Sequence, residues 1–231
     1  VGPVALVTGA AMLGAFVAHG LTTPRTPLLD PRLFARPPFG VAALSLLLLG
    51  MSVFGTTFLL PLYLQGGRGL SAWGTGLLLA PQGVGAALGS VLVSRLVDRA
   101  SARTLVLTGL ALVTVGTVAF TRLGHVPDAV LTGSLLLRGF GAALIGTPVL
   151  ALVYRRVGQD LVARASGALN LLNTVGGSVG TAVVSVVLAA RFAERGAQAP
   201  AAYADTFWWV LGFCLLAAAA ATRLPATRPG H

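Results

Sequence analysis

The chain has 231 residues, 55% of them hydrophobic and only 10% charged, with a formal net charge of +10 and a mean hydropathy of +0.86. A soluble domain carries about 25% charged residues, and one soluble core of this size cannot hide so much apolar surface. The apolar runs are long and continuous rather than alternating with period two, which excludes a transmembrane barrel and predicts an all-α, multi-pass membrane protein.

In chain order, residues 1–21 form a first apolar run, just long enough for the roughly 20 residues a spanning helix needs. Residues 22–38 break it with five prolines. Within this linker Asp30-Pro31 reads as a helix start, since Asp caps and Pro suits the first helical position. Leu28, Leu29, Leu33 and Phe34 are then expected on the bilayer surface, with Arg32 and Arg36 at the headgroups. Six more spans follow at 39–64, 71–93, 104–121, 129–154, 162–190 and 206–222, giving seven predicted spans. Residues 191–205, rich in Ala, Gln and Pro, are expected to be a flexible loop, and 223–231 a tail. The first residue is Val and no charged n-region precedes the first run, so no signal peptide is read and the chain is expected to be a fragment.

All sixteen basic residues are arginines. They sit between the apolar runs, so the positive charge reads as membrane topology and not as a nucleic-acid surface. The densest group is the island 94–103, with Arg95, Asp98, Arg99 and Arg103. Placing it in the cytoplasm puts eleven of the sixteen arginines inside, the linker and the tail included. The N-terminus is then expected outside and the C-terminus in the cytoplasm.

Few residues offer chemistry. In span 162–190, Ser166, Asn170, Asn173, Gly177, Gly180 and Thr181 share one face of a helix. That face is either a helix–helix seam, with Gly allowing close approach, or the wall of a water-filled cavity. Ser45, Ser52, Thr56 and Tyr63 share a face of span 39–64, although Ser and Thr often bond only their own backbone. In span 71–93, Gly85 and Gly89 make a small-xxx-small contact site, and Gln82 beside Pro81 is a cavity candidate, together with Ser52, Thr56, Asn170 and Asn173. Arg138 is the one ionisable side chain deep in a span, about 14 Å along its helix. It is expected either to find a buried partner or to snorkel outward. The acids all lie at span ends or in loops. His19, His125 and His231 are scattered and make no metal site; no cofactor loop and no catalytic set at one depth is visible. The single Cys214 can form no disulfide within one chain. An enzyme is therefore not expected.

Several stretches together resemble the C-terminal half of a major facilitator superfamily transporter, in particular the fourteen-helix drug:proton antiporter family. Residues 27–34 (PLLDPRLF) resemble that family's linker, and 58–65 (FLLPLYLQ) the end of its next helix. The island 94–103 resembles the superfamily's charged cytoplasmic turn, with Ser94 and Ser101 where that turn has Gly. Residues 137–143 (LRGFGAA), with Arg138 and Gly141, resemble the arginine motif of a cavity-lining helix. Residues 164–170 (RASGALN) through Gly180 resemble the penultimate helix. The resemblance implies that 1–21 is a linker helix, that 39–222 is a six-helix bundle, and that an N-terminal six-helix half completes it in the cell membrane. It implies alternating access about a midplane site, with a small, largely apolar cargo exported against protons. It also implies a latch at Arg95, Asp98, Arg99 and Arg103. A metabolite uptake carrier of the same fold, or a membrane assembly subunit without transport, is the alternative.

Overall fold

The computed structural model describes residues 37–96, 100–156, 159–196 and 199–223. Six helices result: α1 (Pro37–Leu62), α2 (Ala72–Leu96), α3 (Ala102–Val118), α4 (Asp128–Arg156), α5 (Gln159–Arg195) and α6 (Pro200–Ala221). A π-helical turn, Tyr63–Gly67, extends α1, and a 3-10 turn, Ala119–Arg122, extends α3. All six are long and apolar enough to cross a membrane. No strand occurs among the described residues, as expected where every backbone N–H must be satisfied within its own segment. The first predicted span, 1–21, and most of the linker 22–38 lie outside the described residues.

Local chemistry sets the helix ends. Pro37 and Pro38 open α1, where the missing N–H groups would have no intrahelical partner in any case. Ser101 caps α3: its Oγ accepts from the Thr104 N–H at 3.1 Å, a contact worth about 1 kcal/mol. Gly196, at φ +89°, takes the left-handed conformation just past the end of α5, and Pro200 starts α6 at its first turn. The expected flexible loop 191–205 is therefore corrected: most of it is helical. Helix α5 runs on to Arg195 and α6 begins at Pro200. Two ion pairs, Arg191–Glu194 and Arg195–Asp205, both at 2.7 Å, lie on these extensions.

Helix α4 packs against α2 and α3, helix α1 packs against α5 and α6, and α3 meets α6 to join the two groups. The seams are built from glycines. Gly85 of α2 lies on the backbone of Leu136, and a Cβ at Gly89 would stand 2.7 Å from the Phe140 carbonyl oxygen. In return, Gly139 of α4 lies on the Gln82 carbonyl, and Gly141 on that of Gly109 in α3. On the other side, Gly177 and Gly180 of α5 meet Phe54 and Met51 of α1. The opposite face of α5 exposes Leu171, Val179 and Val186. The glycine face of α5 is thus a helix–helix seam, one of the two arrangements its sequence allows.

This packing separates two glycines of similar sequence context. Gly139→Val drives a branched side chain into the α2 backbone, an overpacking cost of about 1–3 kcal/mol. A Cβ at Gly83 meets nothing within 4 Å. We expect Gly139→Val to lower the membrane abundance and unfolding midpoint of the full-length protein, and Gly83→Val to leave both near the parent, as read by immunoblot and thermal shift.

Candidate functional site

Arg138 is buried in the centre of the bundle, 2% exposed. Its Nη1 donates to Thr117 Oγ1 of α3. Its Nη2 reaches the Ser52 carbonyl at 3.3 Å and Ser52 Oγ at 3.4 Å, both on α1. The guanidinium carbon lies 5.8 Å from the centroid of the Phe120 ring, within cation–π range. Ser52 Oγ is in turn 2.9 Å from Cys214 Sγ of α6. One side chain from α4 thus gathers groups from α1, α3 and α6.

The partners are all neutral. Among the described residues no carboxylate pairs with Arg138, and its Nε has no acceptor. Placing an Arg at the centre of a membrane helix costs about 2.5–3.5 kcal/mol on insertion scales. A hydrogen bond to a charged group returns about 1.5–3 kcal/mol, so two or three such bonds offset the cost without a counter-ion. Arg138 turns inward to these oxygens and does not snorkel.

The next residue, Gly139, faces the other way and lines a cleft of about 380 Å³ between α1, α2 and α4. Thr56 and Thr57 of α1, Gln82 and Gly83 of α2, and Ala142 of α4 also line it. Each of the three helices reaches it about ten residues from its end at Arg68, Ala72 or Asp128, hence roughly 15 Å deep at 1.5 Å per residue. That is about the middle of a 30 Å hydrocarbon core. Among the described residues no ionisable side chain lines it. One backbone oxygen behind the lining links cleft and cluster. Thr56 Oγ1 donates to the Ser52 carbonyl at 2.8 Å, the same oxygen that Arg138 Nη2 approaches.

Of the five residues singled out as cavity candidates, Thr56 and Gln82 meet at this cleft. Ser52 does not reach it: it is fully buried and bound to Arg138. Asn170 is exposed, and Asn173 packs on α1 at Gly50; neither lines the cleft. Thr57, Gly83 and Gly139 were not singled out, although Pro61, four residues after Thr57, marked that turn. A second cleft of about 510 Å³ opens at the helix ends beside Arg122, His125 and Asp205, with Asp205 already paired to Arg195.

At the same end of the bundle Arg68 holds Asp128 through two bonds, 2.6 and 3.1 Å. They tie the α1–α2 turn to the start of α4, where a carboxylate suits the helix dipole. The bond to Asp128 raises the Arg68 pKa above its ordinary value. With side chains 31% and 54% exposed, the pair is worth about 0–1 kcal/mol. At the opposite end, Arg95 is exposed in the last turn of α2 and Arg103 is half-buried at the start of α3. Asp98 and Arg99 lie outside the described residues.

Six helices long and apolar enough to cross a membrane thus form one bundle, with an uncharged, mid-depth cleft between α1, α2 and α4. A crystal structure of a POT family transporter, in complex with a thioalcohol-conjugated peptide, shares the fold: TM-score 0.67 over 83% of this chain and 39% of that one, at 15% identity. The chain belongs to the Major Facilitator Superfamily, which it matches over residues 2–181. Among curated relatives it is 32% identical to the multidrug resistance protein B homolog of Mycobacterium tuberculosis, over 80% of this chain and 35% of that protein. It is 31% identical to the lincomycin resistance protein LmrB of Listeria monocytogenes, covering 81% and 40%. It is 33% identical to the cephamycin export protein CmcT of Amycolatopsis lactamdurans, covering 98% and 48%. The chain thus spans less than half the length of each.

The neutral shell around Arg138 yields an unusual ordering of variants. Arg138→Met removes the buried charge, and Thr117 keeps its own 2.6 Å bond to the Val113 carbonyl. Arg138→Lys keeps the charge on a single compact donor that cannot span α1 and α3 together. We expect the Lys variant to lower the unfolding midpoint of the full-length protein more than the Met variant does. Equal loss in both would mean that the uncompensated charge of the Lys variant adds no penalty and that the missing guanidinium alone sets the loss.

Proposed function

We propose that this chain is the C-terminal half of a secondary transporter that exports small, largely apolar compounds by alternating access, with protons as the coupling ion. The uncharged cleft at mid-depth carries the reading. Its walls suit a neutral or weakly polar molecule and give a fixed charge nothing to pair with. The printed names of the relatives, which concern multidrug resistance, lincomycin resistance and cephamycin export, point the same way. An N-terminal six-helix half supplies the facing wall. Residues 1–21 act as a linker helix, 22–38 as the cytoplasmic linker and 39–222 as the bundle, with the C-terminus in the cytoplasm of a bacterial cell membrane.

The test is efflux from cells that express the full-length protein. Preloaded dye should leave faster than from cells with an empty vector, and a protonophore should abolish the difference. Protonophore-insensitive export would remove the proton from the scheme, and net accumulation of dye would reverse the direction.

The charged island supplies a second test. On this reading Asp98, with Arg95, Arg99 and Arg103, latches cytoplasmic helix ends in one state of the cycle. An exposed pair contributes little, but 1.4 kcal/mol is a tenfold shift in population, so a partly shielded latch biases the cycle. Asp98→Asn should leave membrane abundance near normal and cut efflux at least tenfold. Efflux at the parent rate would reduce the island to a topological anchor.

A further inference from the structure

The hydroxyl protons of both cleft threonines are already committed. Thr56 Oγ1 donates to the Ser52 carbonyl at 2.8 Å, and Thr57 Oγ1 donates to the Val53 carbonyl at 2.9 Å. A hydroxyl has one proton and two lone pairs, so each threonine has only lone pairs left for the cleft. Pro61, inside α1 and on the cleft wall, reinforces this. It has no N–H to give the Thr57 carbonyl one turn earlier, so that oxygen also lacks its usual helical donor. Thr57 is exposed, whereas Thr56 is 1% exposed at the base. On the α2 side, Gln82 offers both donor and acceptor atoms and so imposes no sense of its own.

We propose that the α1 wall of the cleft is an acceptor-only surface, and that cargo is oriented there by a hydroxyl or amide N–H that it donates to Thr57. The inference rests on the reading of this cleft as the cargo path and narrows it. The compounds handled best are uncharged at this face and carry a hydrogen-bond donor beside an apolar body. Masking that donor, for example as an ether, weakens recognition without changing shape greatly.

The test uses the purified full-length protein and two naphthalene dyes, 2-naphthol with its free phenol and 2-methoxynaphthalene with that phenol alkylated, neither of which has any other hydrogen-bond donor. Binding is followed by fluorescence. The parent should bind the phenol more tightly than the ether. Thr57→Val should weaken the phenol about three- to tenfold, the loss of one hydrogen bond, and leave the ether within twofold, so that the preference disappears. Thr57→Ser, which keeps the oxygen, should retain the preference. Equal weakening of both dyes, an unchanged preference in Thr57→Val, or no preference in the parent would overturn the acceptor wall while leaving the export reading intact. If the parent neither binds nor exports either dye, the export reading fails and the inference with it.

Discussion

A guanidinium buried at mid-membrane is the constraint around which this six-helix bundle is arranged. Arg138 carries five N–H donors and no acceptor, and lipid offers it nothing. It must therefore draw oxygen atoms from neighbouring helices. It takes Thr117 from α3 and Ser52 from α1, and Ser52 brings Cys214 of α6 with it. These contacts join the pair of helices on α4 to the pair on α1. In a membrane, where tails compete equally for apolar side chains, such a polar junction has few substitutes. The glycine seams do the remaining work by letting backbones approach where Leu or Val would hold them apart.

The same helix turn that buries Arg138 opens the cleft. Arg138 faces inward, and Gly139, one residue on, faces α2 and the cavity. The Ser52 carbonyl is the hinge of this arrangement, since it receives Arg138 from behind and Thr56 from the front. The position of the α1 wall is thus set by a charge that never touches the cavity. The cationic centre is kept one helix turn away from the cleft, and the cleft lining itself stays neutral.

Much of the fold was legible because apolar runs of membrane length have few alternatives. The six described helices fall where the runs fall. The end of α5 did not, because the Ala- and Arg-rich stretch after residue 190 reads as polar loop by hydropathy, yet it is made of good helix formers closed by Gly196. At the site, periodicity grouped Ser52 with Thr56 on one face, and they are indeed one turn apart. It could not show that α4 and α6 cover the first and leave the second at the cleft. Asn170 and Asn173 were grouped on a polar stripe for the same reason, and the stripe turns mainly to the α1 seam. Gly139 escaped notice because its role depends on the Gln82 carbonyl of another helix, and Cys214 because its hydroxyl neighbours come from α1 and α3. These are long-range contacts, and no local pattern encodes them.

The central claim is that the space between α1, α2 and α4 is open to water and to cargo in the working protein. Thiol labelling of single cysteines in the full-length protein, with Cys214 replaced by Ser, addresses it directly. Gly83→Cys has room for its side chain and sits on the cleft wall. It should react with a membrane-impermeant maleimide, and exported dye should slow that reaction in a saturable way, while Val179→Cys on the lipid face should stay unlabelled. An inert Gly83→Cys, or labelling that dye never slows, would contradict the account.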